Sequence, residues 1–170
     1  MIRFQAFLGT ITMINDFRIN GNEELTGCFK LMSVENGEGS LVNFLVGPNT
    51  YFVDHVRVQV GDKVIGFYDA NAPVPLIFPP QFRAIVMEKD IPYYNIKIDY
   101  FDSQLISEDG QLKLNIAPGT QIILQNDQVF TRYPANRYLI VLYGASTKSI
   151  PAKTTPYKII VMCRSNKESA

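Results

Sequence analysis

The chain has no tryptophan, one histidine and two cysteines in 170 residues. Each scarcity excludes something. Cys28 and Cys163 lie far apart, so they do not make a disulfide scaffold. With no Cys-x-x-Cys and no Cys/His cluster, no structural zinc site is expected, and the two thiols read as buried and free in a reducing compartment. Sixteen basic residues balance sixteen acidic ones, which argues against a general polyanion binder. No apolar run approaches the roughly 20 residues of a membrane span. Met1 to Leu8 lacks the apolar core of roughly 7–15 residues that a signal peptide needs. The expectations are therefore a cytoplasmic location, a removed leader apart, and no membrane partner. Phosphate-loop, dinucleotide and Gly-x-Ser-x-Gly patterns are missing too, so neither an enzyme nor a cofactor is expected.

Proline and β-branched residues are what the chain has instead. Amphipathic helical periodicity is absent, and short apolar runs are punctuated by turn residues. Phe4 to Ile14 reads as a strand with Gly9 at a bulge. Gly27 to Val34 and Ser40 to Val46 form a hairpin about Asn36-Gly37. Gly61-Asp62 turns the chain into Lys63 to Tyr68, where glycine permits positive φ and Asp62 can accept a backbone hydrogen bond. Phe82 to Glu88 follows, and Asp90-Ile91-Pro92 reads as a junction. Beyond it, Tyr94 to Phe101 alternates apolar and polar. Gln111 to Ile116, Thr120 to Leu124, Tyr138 to Tyr143 and Tyr157 to Cys163 complete an all-β pattern.

Between Tyr68 and Phe82 lies Ala72-Pro73-Val74-Pro75-Leu76-Ile77-Phe78-Pro79-Pro80. Surface loops are normally polar, so this one is expected to pack against something or to bind something. A weaker copy occurs later. Shifted by 75 positions, Val64 to Met87 overlays Leu139 to Met162, with Tyr68 on Tyr143 and Phe82 on Tyr157. Shifted by 70, Phe44 to Thr50 overlays Leu114 to Thr120. Two blocks in the same order point to a duplication. Residues 1–90 hold 7 Lys/Arg against 10 Asp/Glu, and residues 91–170 hold 9 against 6.

Five strands per unit, a bulged first strand and a Gly-Asp turn before the fourth strand resemble an OB-type barrel. Gly9 to Ile14, the break at Pro48–Thr50, Val60 to Val64, Ala84 to Met87 and above all the loop Gly66–Gln81 are similar to uncharacterised tandem OB-like β-barrel proteins of Gram-positive bacteria. That resemblance implies an all-β fold of two tandem five-stranded OB-like barrels: 1–90, 91–165, and a polar tail 166–170. It implies no activity.

Three functional readings follow. The first is a non-enzymatic binding or interaction module, its proline loops docking the two barrels, with an unknown protein partner or self-association. Its candidate ligand-binding residues are Tyr68, Asp69, Asn71, Phe78, Gln81 and Phe82 on the first loop and Tyr143, Lys148 and Lys153 on the second. Prolines pre-order such a loop and reduce the entropy lost on binding. The alternative is a single-stranded nucleic-acid binder that stacks bases on Tyr68, Phe78 and Tyr143 and holds phosphates with Lys148, Lys153 and Arg137. The third is a hydrolase centred on Asp54 and His55. That pair lacks a nucleophile, and adjacent residues in an extended segment face opposite ways.

Overall fold

The computed structural model describes residues 1–21, 23–90 and 93–164. The Ile91-Pro92 junction and the 166–170 tail lie outside the described residues. The chain is all-β, with 45% strand and 4% helix, and divides into two compact units, Ile2–Asp90 and Ile91–Ala170 with Met1.

In the first unit, β1 (Phe4–Asp16) pairs along its first half with β5 (Lys63–Asp69) and along its second half with β2 (Lys30–Glu35). β2 continues into β3 (Leu41–Val46). β4 (Tyr51–Phe52), β6 (Gln81–Arg83) and β7 (Val86–Lys89) complete a sheet ordered β4-β7-β5-β1-β2-β3-β6. In the second unit, β8 (Asn95–Phe101), β11 (Arg137–Tyr143), β13 (Lys158–Met162) and β10 (Gln121–Leu124) form one sheet. β9 (Leu112–Leu114) and β12 (Ala152–Thr154) form a separate pair.

These strands wind as a β-solenoid of about 3 turns. The expectation of two tandem five-stranded OB-like barrels is overturned, and with it the OB-fold and β-barrel description. The physical reason lies in the pairings. The expected single strand Phe82 to Glu88 breaks at Ala84-Ile85. There the Ala84 N–H donates to Leu45 O at 3.0 Å and the next N–H, of Ile85, donates to Phe67 O at 2.8 Å, so the chain changes partner. Two parallel pairings result, β3/β6 and β4/β7, and the second unit has two of its own, β9/β12 and β10/β13. Parallel neighbours need a long excursion between strands, which a winding chain supplies and a hairpin does not. Among the described residues of the second unit no strand corresponds to β2; isolated bridges at Phe101–Ser107 and Ile106–Lys113 stand in its place.

Two turns set the parallel pairings of β4 and β10. In Gly47-Pro48-Asn49-Thr50 the Thr50 hydroxyl accepts from Gly47 N at 3.0 Å and donates to Ala84 O at 2.9 Å. In Ala117-Pro118-Gly119-Thr120 the Thr120 hydroxyl accepts from Ala117 N at 3.2 Å and donates to Pro156 O at 2.8 Å. Each tie sits one residue before its parallel register, Tyr51 opposite Val86 and Gln121 opposite Lys158. The ladders with β5 and β11 agree, since Phe67 faces Val86 and Leu142 faces Lys158. Val86 thus corresponds to Lys158, not to Val161 as the ungapped 75-residue overlay requires. The second loop is shorter than the first.

Two apolar clusters fill the units. One gathers Ile11, Val34, Phe44, Val64 and Met87, the other Phe101, Leu112, Leu139, Val141 and Ile159. β11 lies between β8 and β13 and is buried from Tyr138 to Leu142. Its continuous apolar run has the pattern of a strand covered on both faces. The bulge expected at Gly9 lies instead between Ile11 and Met13. Gly9 is required for another reason: a Cβ there would overlap the Glu35 carbonyl, and one at Gly66 would overlap the Phe44 ring. The cysteines are free but exposed rather than buried, because Cys28 precedes β2 and Cys163 follows β13.

Replacing Thr50 or Thr120 by Val leaves a backbone donor and acceptor unsatisfied, an expected loss of about 1–2 kcal/mol each. Denaturant unfolding measures this. Serine at either site should keep most of the stability, and an equal loss with Ser and Val would count against the hydroxyl ties.

Candidate functional site

The β5–β6 loop is fixed at its root and bare at its tip. At the entry, the Asp69 carboxylate accepts from Arg3 N at 3.1 Å and from Asn71 N at 2.9 Å. The Ala70 N–H donates to Arg3 O at 2.8 Å. At the exit, Pro80 O accepts from Asn43 N at 2.9 Å, and Gln81 enters β6 opposite Asn43. Entry and exit are clamped together by Tyr68 and Phe82, whose rings stack with centroids 3.9 Å apart and planes 10° from parallel. Phe44 lies 6.2 Å from Tyr68 and Phe7 lies 6.5 Å from Phe44, so aromatic packing continues from the loop root into the core. The Tyr68 hydroxyl donates to Gln5 Oε1 at 3.1 Å. Burial raises the Tyr68 pKa, partly offset by the Arg3 charge.

Above that root the chain carries no charged side chain from Ala70 to Phe82. Leu76 is fully exposed, Phe78 88% exposed and Ile77 54% exposed. The expectation of two docked barrels falls with the barrels themselves, and within the first unit nothing covers this apolar tip. Prolines allow this, since their fixed φ holds an extended tip without packing beneath it.

The sequence-derived residues therefore divide. Tyr68 and Phe82 form the root, Asp69 caps the entry turn beside Asn71, Gln81 belongs to β6, and Phe78 alone of the set is at the tip. Arg3, Gln5 and Phe44, which complete the root, were not singled out by sequence reasoning. The available signal was that Tyr68 and Phe82 bracket the prolines.

Tyr143, Lys148 and Lys153 belong to the second unit. Tyr143 packs partly buried on the Leu139 cluster. Lys148 and Lys153 are exposed. Their loop, which the sequence offered as a second binding element, is held by its own hydroxyls. The Thr147 and Ser149 side chains are 2.8 Å apart, Lys153 N donates to Thr147 Oγ1 at 2.9 Å, and the Thr154 hydroxyl donates to Ala145 O at 2.7 Å. The loop leads into β12, a strand that the sequence did not indicate. Ile150 at its turn is 81% exposed.

Asp54 and His55 are not in an extended segment. They occupy a short 3-10 turn, Val53–His55, with φ of 60° and 52°, the left-handed region that non-glycine residues seldom adopt. The His55 ring lies 5.6 Å from that of Tyr51. No group of three or more potential metal ligands occurs among the described residues.

One further ionisable cluster surrounds the Ser107–Gly110 turn. Asp99, buried in β8, accepts from Tyr100 N at 2.8 Å and from Asp109 N at 3.2 Å. Asp109 pairs with Lys97 and accepts from Ser107 Oγ at 2.6 Å and Gln111 N at 3.0 Å. Burial pushes the Asp99 carboxyl above its ordinary value despite those two N–H groups. Burial also opposes ionisation of Asp109, but Lys97, the Ser107 hydroxyl and Gln111 N–H together hold it below its ordinary value. Both carboxylates spend their oxygens on the turn, which makes them structural.

Comparison with family models, curated proteins and solved structures gave no match. Nothing in those comparisons bears on the resemblance to tandem barrel proteins.

The carboxylates give a pH prediction. Asp109, lowered on folding, contributes stability above its unfolded pKa and loses it as pH falls through the folded value. Asp99, raised on folding, acts oppositely: folding is favoured by its proton, and stability falls as pH rises through its folded pKa. Asp109→Asn should therefore cost about 1 kcal/mol near neutral pH, discounted for partial exposure. The difference from wild type should vanish in acid below the folded Asp109 pKa. Unfolding midpoints at both pH values test it, and an unchanged difference would exclude the carboxylate's role.

Proposed function

We propose that the protein is a non-enzymatic binding module whose contact element is the tip of the β5–β6 loop. What supports the reading is the exposure of Leu76, Ile77 and Phe78 on a root fixed by the Tyr68–Phe82 stack. Exposed apolar side chains that are contiguous, uncharged and pre-ordered are costly in isolation and favour burial against a partner. Each such side chain contributes about 1.5–3 kcal/mol when fully covered. The element is a projection, so the partner it suits is a protein with an apolar pocket. The nucleic-acid reading is less well supported at this loop, because Tyr68 stacks on Phe82 and the segment from Ala70 to Phe82, which carries the exposed Phe78, holds no cation for a phosphate.

Site-specific photo-crosslinking in the native host tests this. A benzophenone side chain in place of Phe78 should yield a discrete protein adduct. The same group at Glu38, in the β2–β3 loop, should not. The adduct should disappear when Leu76 and Ile77 are changed to serine. No adduct at Phe78, or the same pattern from both positions, would overturn the proposal.

A further inference from the structure

We infer that Asn20 is a modification site, which the folded protein converts to an aspartyl or isoaspartyl residue by attack from the Gly21 backbone nitrogen. This inference does not rest on the reading of the first loop. The chain holds two Asn-Gly pairs, Asn20-Gly21 and Asn36-Gly37. In such a pair the glycine nitrogen can close an imide ring on the asparagine carboxamide, because glycine has no side chain to crowd the approach. The step balances with solvent alone. Base takes the proton of the glycine N–H, the nitrogen bonds to Cγ of the asparagine, and the carboxamide nitrogen leaves as ammonia with a proton from water. Water then opens the imide at either carbonyl. One opening gives an aspartyl residue, and the other an isoaspartyl residue with an extra methylene in the backbone.

By sequence the two pairs are equivalent, and the fold separates them. The Asn36 carboxamide is committed to its hairpin, where Oδ1 accepts from Glu38 N at 2.9 Å and from Ser40 N at 3.1 Å. The Asn36 N–H also donates to Ser40 O at 3.1 Å. Ring closure has to turn the side chain and give up both bonds to Oδ1, which should slow the step about 30-fold. Asn20 has no such hold. It is exposed in the connection between β1 and β2, and its side chain makes no hydrogen bond among the described residues. Gly21 has open space where a Cβ would stand, so the nucleophile is as accessible as the carboxamide. Asp109-Gly110, a third pair able to form the ring, is held as Asn36 is, by Ser107 Oγ, Gln111 N and Lys97. The Phe17 N–H donates to Phe29 O at 2.8 Å and closes the base of the 17–29 connection, so conversion at Asn20 should leave the β1/β2 pairing intact. It adds a negative charge just before Glu23 and Glu24, in a half of the sequence that already holds 10 Asp/Glu against 7 Lys/Arg.

Ageing the full chain in mildly alkaline buffer tests the inference. Peptide mapping by mass spectrometry reads each site, and methyl transfer from S-adenosylmethionine by an isoaspartate methyltransferase reads the isoaspartyl product. In the folded protein Asn20 should convert about 30-fold faster than Asn36. In urea, which releases the hairpin bonds, the two rates should converge. Asn20→Gln should remove nearly all methyl acceptance from the folded chain and leave the thermal unfolding midpoint unchanged. Conversion of Asn36 as fast as Asn20 in the folded protein overturns the inference, as does an Asn20 that stays intact when folded. So does a preference for Asn20 that persists in urea, which would assign it to neighbouring residues and not to the fold. So does methyl acceptance that Asn20→Gln leaves in place.

Discussion

The constraint on which much of the structure depends is a hydrogen-bonded tie made by a threonine hydroxyl after a proline turn. Thr50 and Thr120 each bond backward to the turn they close and across to the chain about to enter β7 or β13. A hydroxyl can donate and accept at once, so one side chain satisfies two backbone groups that the bend leaves without a ladder partner. By fixing where the short strand starts, the tie sets the parallel register that follows. Parallel pairs leave their strands to be joined by excursions, and in this chain the excursions of interest are the loops 70–80 and 144–151.

Those loops show how a rigid root and an exposed tip coexist. A loop with few interior contacts normally has many conformations, and ordering it on binding costs about 1–2 kcal/mol per residue. Here part of that cost is met during folding. In the first loop an aromatic stack, a carboxylate cap and prolines restrict the chain; in the second, threonine and serine hydroxyls do so. The tips differ in chemistry. One is apolar and uncharged, and the other sets a single isoleucine between two lysines. The proposal for the first loop follows from that chemistry, an apolar tip that suits an apolar pocket.

Electrostatics in the second unit follows position more than amount. The whole chain is charge-balanced, and among the described residues after Asn95, Asp102 and Asp127 follow strand ends while Asp99 and Asp109 are tied into one turn. Lys97 is paired with Asp109 inside that turn network, while Lys148 and Lys153 remain at the surface.

The all-β class, most strand positions and the Gly61-Asp62 turn were legible in the sequence, because they depend on local preferences. Gly61 does take a positive φ of 95° and Asp62 does accept from Gln59 N at 2.9 Å. The similar proline turns at Pro48 and Pro118 were also visible, since a turn motif is contained in a few neighbouring residues. Tertiary structure alone decided which strand each edge would meet. The break at Ala84-Ile85, the parallel pairings and the unannounced strand β12 join residues far apart in sequence, and the apolar pattern of a strand is the same whichever neighbour covers it. For the same reason the proline segment announced itself as unusual but not as exposed. Apolar composition gives a tendency toward burial, and whether Leu76 and Phe78 find cover depends on surfaces that no window of the sequence contains.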